Sequence, residues 1–175
     1  MKHIFIIGAG AWGTALALTA FRAGAKVTMW SISLDEVETI NQRHENVYRL
    51  PGVPLDPSVF ATTDPEEATK ADLVIFAPPA QFMRNICKSF CKVIDAQIPL
   101  VIASKGIENG TSLLMSEVLR DYFPRNPLLV LSGPSFSNDV AKKLPTAVAL
   151  AAEELSLSQK IASKLSSQYF RLYSS

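Results

Sequence analysis

The feature of this 175-residue chain that leaves the least freedom lies at its start. The apolar run Ile4 to Ile7 meets the pattern Gly8-x-Gly10-x-x-Gly13, and an Ala- and Leu-rich stretch follows at once. Such a run suits a strand buried on both faces, and the stretch after it suits a helix. That order matters more than the glycines, which also cluster in ordinary turns. Gly8 permits a sharp strand-to-helix turn, Gly10 lacks the Cβ that would hold a diphosphate away from the backbone, and Gly13 lets helix and strand pack closely. The first-turn amides and the positive helix end then face an anion. The arrangement points to dinucleotide binding.

The same alternation continues along the chain. β-rich apolar runs at Ile4 to Ile7, Lys26 to Trp30, Leu73 to Ala77, Leu100 to Ala103 and Leu128 to Leu131 are separated by helical patterns. Those patterns follow Trp12, then span Leu34 to about Arg43, Gln81 to Val93, and Ser112 to Tyr122. A parallel pairing needs a crossover, so this rhythm implies βαβ units and a doubly wound, mainly parallel α/β sheet of Rossmann type. "PTAVALAA" and "YFRLYSS" add two further strands at the C-terminal end, with a helix from about Ser156 to Ser167 between them. Asn46 to Val59, with three prolines and a glycine, reads as an extended loop over the surface. It leads to a short strand at Phe60 to Thr62 and a helix capped by Asp64, with Pro65 at its first position.

Composition narrows the partners. Seventeen basic residues against sixteen acidic ones leave no nucleic-acid footprint and no polybasic membrane patch. No apolar run reaches the length of a membrane span, and the N-terminus lacks the pattern of a signal peptide, so a cytoplasmic protein is expected. The two cysteines, Cys87 and Cys91, lie four apart without a nearby histidine, which reads as structural thiols with neither a disulfide nor a metal.

Ligands of open α/β sheets bind beyond the carboxyl ends of the strands, so the loops there carry the candidates. Lys105 follows the fifth strand beside Gly106; its ammonium suits a phosphate or polarised oxygen, while the plainer reading is a solvated surface lysine. "SGPSF" offers the Ser135 hydroxyl and a helix start near Phe136, or is simply a Gly-Pro turn before a capped helix. "APPAQF" forms a rigid loop in which Phe82 either lies against a ring or ribose or, more commonly for an aromatic at a helix start, belongs to the core. His3 lies at the wrong end of the first strand and His44 near a helix end, so neither reads as catalytic.

Taken together, "GAGAWGTALA", "VTMW", "NQRHENVYRLPGVPL", "SKGIENG" and "GPSFSNDVAKKLPTAVALA" resemble, in order and over the whole length, the N-terminal domain of NAD(P)-dependent glycerol-3-phosphate dehydrogenase. The resemblance implies hydride transfer between a nicotinamide cofactor and C2 of dihydroxyacetone phosphate or sn-glycerol 3-phosphate, a step towards glycerophospholipid precursors. Gly8, Gly10, Ala11, Trp12 and Gly13 match the family's pyrophosphate loop, Lys105 a lysine touching cofactor and substrate, Gly133 and Ser135 substrate contacts, and Ser137 a cofactor contact. Phe82 stands beside the expected cofactor crevice. Position 135 is more often Thr in that family, and position 137 more often Ala.

At the end of the second strand, Ile32 replaces the Arg or His that pairs with a 2′-phosphate in many bacterial members, and Ser31 is not an acid that would hold ribose hydroxyls. The expectation is NAD or NADP, with NAD favoured. The resemblance also implies a catalytic acid/base lysine and a helical substrate domain beyond Ser175, so residues 1–175 are expected to be a cofactor-binding fragment of a longer enzyme. Turnover by the fragment alone should be negligible, and apolar surface left uncovered favours self-association as a homodimer. Two other readings share the nucleotide domain: a hydroxy-acid reductase, which would act on a carboxylate-bearing ketone, and a non-catalytic dinucleotide sensor.

Overall fold

The computed structural model describes residues 2–175. Eight strands, β1 (His3–Ile7), β2 (Lys26–Trp30), β3 (Phe60–Thr62), β4 (Leu73–Phe76), β5 (Leu100–Ile102), β6 (Leu128–Ser132), β7 (Thr146–Ala152) and β8 (Phe170–Ser174), form one sheet. Their order is β3-β2-β1-β4-β5-β6-β7-β8. All neighbours are parallel except β6 and β7, which pair antiparallel with Leu131 opposite Leu150. The chain winds outward from β1 to β3 and then from β4 to β8, so the direction of winding switches between β1 and β4. That crevice is where an open sheet of this kind accepts ligands.

Six helices cover the sheet: α1 (Ala11–Arg22), α2 (Leu34–Glu38), α3 (Met83–Phe90), α4 (Met115–Tyr122), α5 (Ser137–Ala141) and α6 (Leu155–Leu165). Strand side chains alternate between two cores. Ile4, Ile6, Met29 and Ile75 pack with α1, α5 and α6 on one face, while Phe5, Ile7, Val74 and Phe76 pack with α3 and α4 on the other. Edge-on aromatic pairs, Trp30 with Phe90 and Phe76 with Phe123, fill the second core.

The helices are shorter than their sequence patterns suggest, and parts of those stretches are not α-helical. The stretch from Leu34 passes at Thr39 into a wide π-type turn that closes at His44, whose φ is 52°. The segment capped by Asp64 is a 3₁₀ helix, Pro65–Lys70, and a 3₁₀ turn, Ala80–Phe82, precedes α3. The loop from Asn46 to Val59 runs over the surface, with Tyr48, Arg49, Pro51, Gly52, Pro54 and Asp56 to Ser58 exposed, but its apolar residues turn inward. Leu50, Val53, Leu55 and Val59 are buried in the first core with Ile40 of the π-type turn, and Asn46 is wholly buried. The prolines and glycine set its turns, and its apolar residues decide where it lies.

Candidate functional site

The three motif glycines do different work. Gly8 has φ 108°, and a Cβ there would fall 2.9 Å from the Pro78 nitrogen. A Cβ on Gly13 would fall 1.9 Å from the Gly8 carbonyl oxygen. Both are therefore required by the turn itself. Gly10, with an ordinary φ of −69°, would place a Cβ where no protein atom lies within 4 Å. Its missing side chain serves open space in front of α1, the kind of cradle a diphosphate fills while accepting from the amides of the first turn.

The other strand-end loops close on that turn. Trp12, half-buried, donates its indole N–H to the Ala103 carbonyl at 3.1 Å, pinning the glycine turn to the end of β5. Ser104 donates to the Pro78 carbonyl at 2.5 Å, joining β5 to the loop after β4. Lys105 lies 5.8 Å over the Trp12 ring and donates to the carbonyls of Gly133, at 3.2 Å, and Ser135, at 3.5 Å. Among the described residues no carboxylate pairs with it, so its charge remains available to an anionic ligand.

Lys105 is held from behind as well. Arg84 grips both oxygens of Glu108 at 2.7 and 2.9 Å and reaches Asp121 at 2.9 Å, while Gln81 bonds the Ile107 carbonyl and the Asn109 amide. The guanidinium, with the Thr111 hydroxyl, lowers the Glu108 carboxyl to about 2. This clamp fixes the loop that carries Lys105 against α3 and α4.

The structure thus brings Gly8, Gly10, Ala11, Trp12, Gly13, Lys105, Gly133 and Ser135 together. Gly133 has a packing reason of its own, since a Cβ there would fall 3.0 Å from the Val148 Cα. Ser135 is buried, and Ser137 opens α5 half-buried. Phe82 is 59% exposed, against the plainer reading that placed it in the core; the 3₁₀ turn after Pro79 swings its ring outward. Phe136 is also exposed. His3 bridges the Lys70 carbonyl and the Thr28 hydroxyl at the opposite edge, and His44 ends the π-type turn, its carbonyl accepting from the Leu55 amide. No group of three or more metal-ligating side chains occurs among the described residues, and no helix is long and apolar enough to cross a membrane.

The end of β2 departs most from expectation. Ile32 is 87% exposed and carries no charge, but an acid and a base reach this place from elsewhere. Glu36, from the first turn of α2, is buried; it accepts from the Ser31 hydroxyl at 2.5 Å and from Arg49 Nε at 2.5 Å. Asn46, three residues before Arg49, donates to the Ala9 carbonyl and to the Thr14 hydroxyl on either side of the glycine turn. Sequence reading missed this set because it looked for the acid at the strand's last residues. The signal available was an acid in the first turn of the following helix, where Asp35 and Glu36 both stand, with an Arg in the next loop.

A family model described as the N-terminus of NAD-dependent glycerol-3-phosphate dehydrogenase matches residues 3–158. A glycerol-3-phosphate dehydrogenase [NAD(P)+] of Chelativorans sp. is 47% identical over 173 residues, which are 98% of this chain and 53% of that protein. One from Paramagnetospirillum magneticum is 45% identical over 99% of this chain and 63% of its own length. Among solved structures, glycerol-3-phosphate dehydrogenase from Coxiella burnetii superposes with a TM-score of 0.92 at 33% identity, covering 98% of this chain and 53% of that one. The chain spans about half to two-thirds of the length of these relatives.

Proposed function

The chain belongs to the NAD-dependent glycerol-3-phosphate dehydrogenase family, and from that premise we propose that it is the cofactor-holding part of an oxidoreductase acting between dihydroxyacetone phosphate and sn-glycerol 3-phosphate. The observation that carries the reading is Gly10, whose Cβ position opens onto free space at a helix start while Gly8 and Gly13 are fixed by their own packing. The residues present fit a dinucleotide. Amides of Ala11, Trp12 and Gly13 bind the diphosphate, and the exposed Phe82 ring and the exposed Ile32 side chain flank it. When bound, the nicotinamide supplies or accepts the hydride.

Lys105 holds an oxygen or phosphate of the substrate by charge, because the carbonyls of Gly133 and Ser135 orient its ammonium without neutralising it. The proton for the reacting oxygen comes from a separate acid/base, which the family resemblance places outside these residues. The chain by itself is therefore proposed to bind cofactor, to turn over negligibly, and to self-associate through apolar surface.

Calorimetric titration with NADH and NADPH tests the reading. Both bind the wild type, and Gly10→Val abolishes binding while the circular dichroism spectrum is retained. Unchanged affinity in that variant places the dinucleotide elsewhere. In an assay with the remaining half of a relative supplied, Lys105→Ala lowers kcat/KM through both substrate affinity and turnover, whereas kinetics equal to wild type return Lys105 to the surface.

A further inference from the structure

The pair at the end of β2 has no role in the reading above, yet it stands where an adenosine ribose must lie. Three connections fix its position. The Gly8 amide donates to the Trp30 carbonyl at 2.9 Å, so the glycine turn abuts the last residue of β2. Ser31, the next residue, bonds Glu36, and Asn46 ties the turn bearing Arg49 to Ala9 and Thr14. A dinucleotide whose diphosphate lies on α1 extends its adenosine over this strand end, where an acid reads the ribose hydroxyls of NAD or an Arg accommodates the 2′-phosphate of NADP.

Here both residue types are present, and their burial decides between them. The Glu36 side chain is 8% exposed and both of its oxygens are engaged, one by Ser31 and one by Arg49. A buried carboxylate needs those partners and has little left to offer a sugar hydroxyl. Arg49 is 58% exposed and is held through Nε alone, so its two Nη groups point away from the bond that anchors it. The exposed member of the pair is thus a guanidinium aimed by a buried carboxylate, and a planar guanidinium suits a phosphate dianion.

Resting on the proposed dinucleotide site, we infer that Arg49, positioned by Glu36 and Ser31, recognises the 2′-phosphate, so that this chain selects NADP over NAD despite the uncharged Ile32. Glu36 acts as a positioning residue and does not itself read the ribose.

The test is calorimetric titration of the chain with NADPH and NADH, and with adenosine 2′,5′-bisphosphate and adenosine 5′-monophosphate as adenosine-side probes. The wild type binds each 2′-phosphorylated ligand about 10- to 100-fold more tightly than its partner, the range of a charge-assisted hydrogen bond. Arg49→Met removes that preference and leaves NADH within about threefold. Because that variant strands a buried carboxylate, the double variant Glu36→Gln/Arg49→Met serves as the folded control and shows the same loss. Glu36→Gln alone weakens NADPH and spares NADH.

Equal wild-type affinity for the two dinucleotides, or equal losses in Arg49→Met, overturns the inference while leaving the dinucleotide site intact. Loss of NADH affinity with NADPH spared in Glu36→Gln overturns it in favour of ribose reading by the acid. Failure of the wild type to bind either dinucleotide overturns the proposed function, and this inference with it.

Discussion

In the centre of the sheet every residue of β1, β4 and β5 is buried, while in β6, β7 and β8 buried and exposed residues alternate. The central strands carry α1 on one face and α3 and α4 on the other. The later strands carry α5 and α6 on the first face only, over Leu131, Val148, Leu150 and Leu172. Their second face, with Val130, Ser132, Ala149 and Tyr173, is open. The boundary runs within β6, where Leu128 still packs against the second core and Val130, two residues on, is 38% exposed. Crossover helices are what cover a parallel sheet, and once the chain reverses at β7 none among the described residues is laid on that side.

The largest consequence is for stability. Phe76→Ala opens a cavity under both α3 and α4 and is expected to cost about 3–5 kcal/mol, read as a lowered urea midpoint. A cost near zero would mean that the centre is not closed on both faces.

Next in size, the open face is expected to drive association. The sedimentation coefficient of the wild type should rise with concentration, and Ala149→Glu, which sets a charge in the middle of that face, should hold the chain as one slow species. Persistent association in the variant would move the contact elsewhere.

A smaller effect concerns the clamp over the central helices. Glu108 titrates near 2 in the folded chain against an ordinary 4.5, so its contribution is complete above about 4.5 and is lost as pH falls through 2. Melting of Glu108→Gln should therefore depend less on pH between 4.5 and 2 than melting of the wild type. Parallel curves for the two proteins would show that Arg84 does not hold Glu108 in solution.

The smallest effect sharpens the contrast itself. Val130→Thr, on the open face, should change stability by no more than about 0.5 kcal/mol. A cost as large as that of a core substitution would reveal a covered face.

The same contrast explains which features were readable beforehand. Strands buried on both faces are continuous apolar runs, so Ile4 to Ile7 and the run from Leu73 stand out, and the glycine turn between strand and helix is a backbone requirement visible in residue types. Lys105 and the Gly-Pro-Ser loop were placed by the rule that parallel strands end on one edge. Contacts between distant segments left no such trace. Glu36 and Arg49 meet only because Asn46 docks their loop on the glycine turn, and no local periodicity records that bond. The loop after Asn46 was legible only in part for a related reason: prolines and a glycine signal turns at the surface, and they say nothing of whether the leucines between them face inward. Phe82 turns outward because a 3₁₀ segment offsets the helix by part of a turn, below the resolution of a pattern of apolar residues.

The indole of Trp12 bridges the glycine turn and β5 with an ammonium over its ring, whereas Trp30, the other tryptophan, is wedged edge-on against Phe90 and bonded to the Thr63 carbonyl. The chain consequently carries its own optical pair. Reduced nicotinamide absorbs where indole emits, so a cofactor settling across the glycine turn quenches the first fluorophore by energy transfer and shifts its colour as the neighbouring charge moves. The second, whose carbonyl accepts from the Gly8 amide, lies within reach of the same transfer, so Trp30→Phe is what leaves a single emitter reporting on the turn alone.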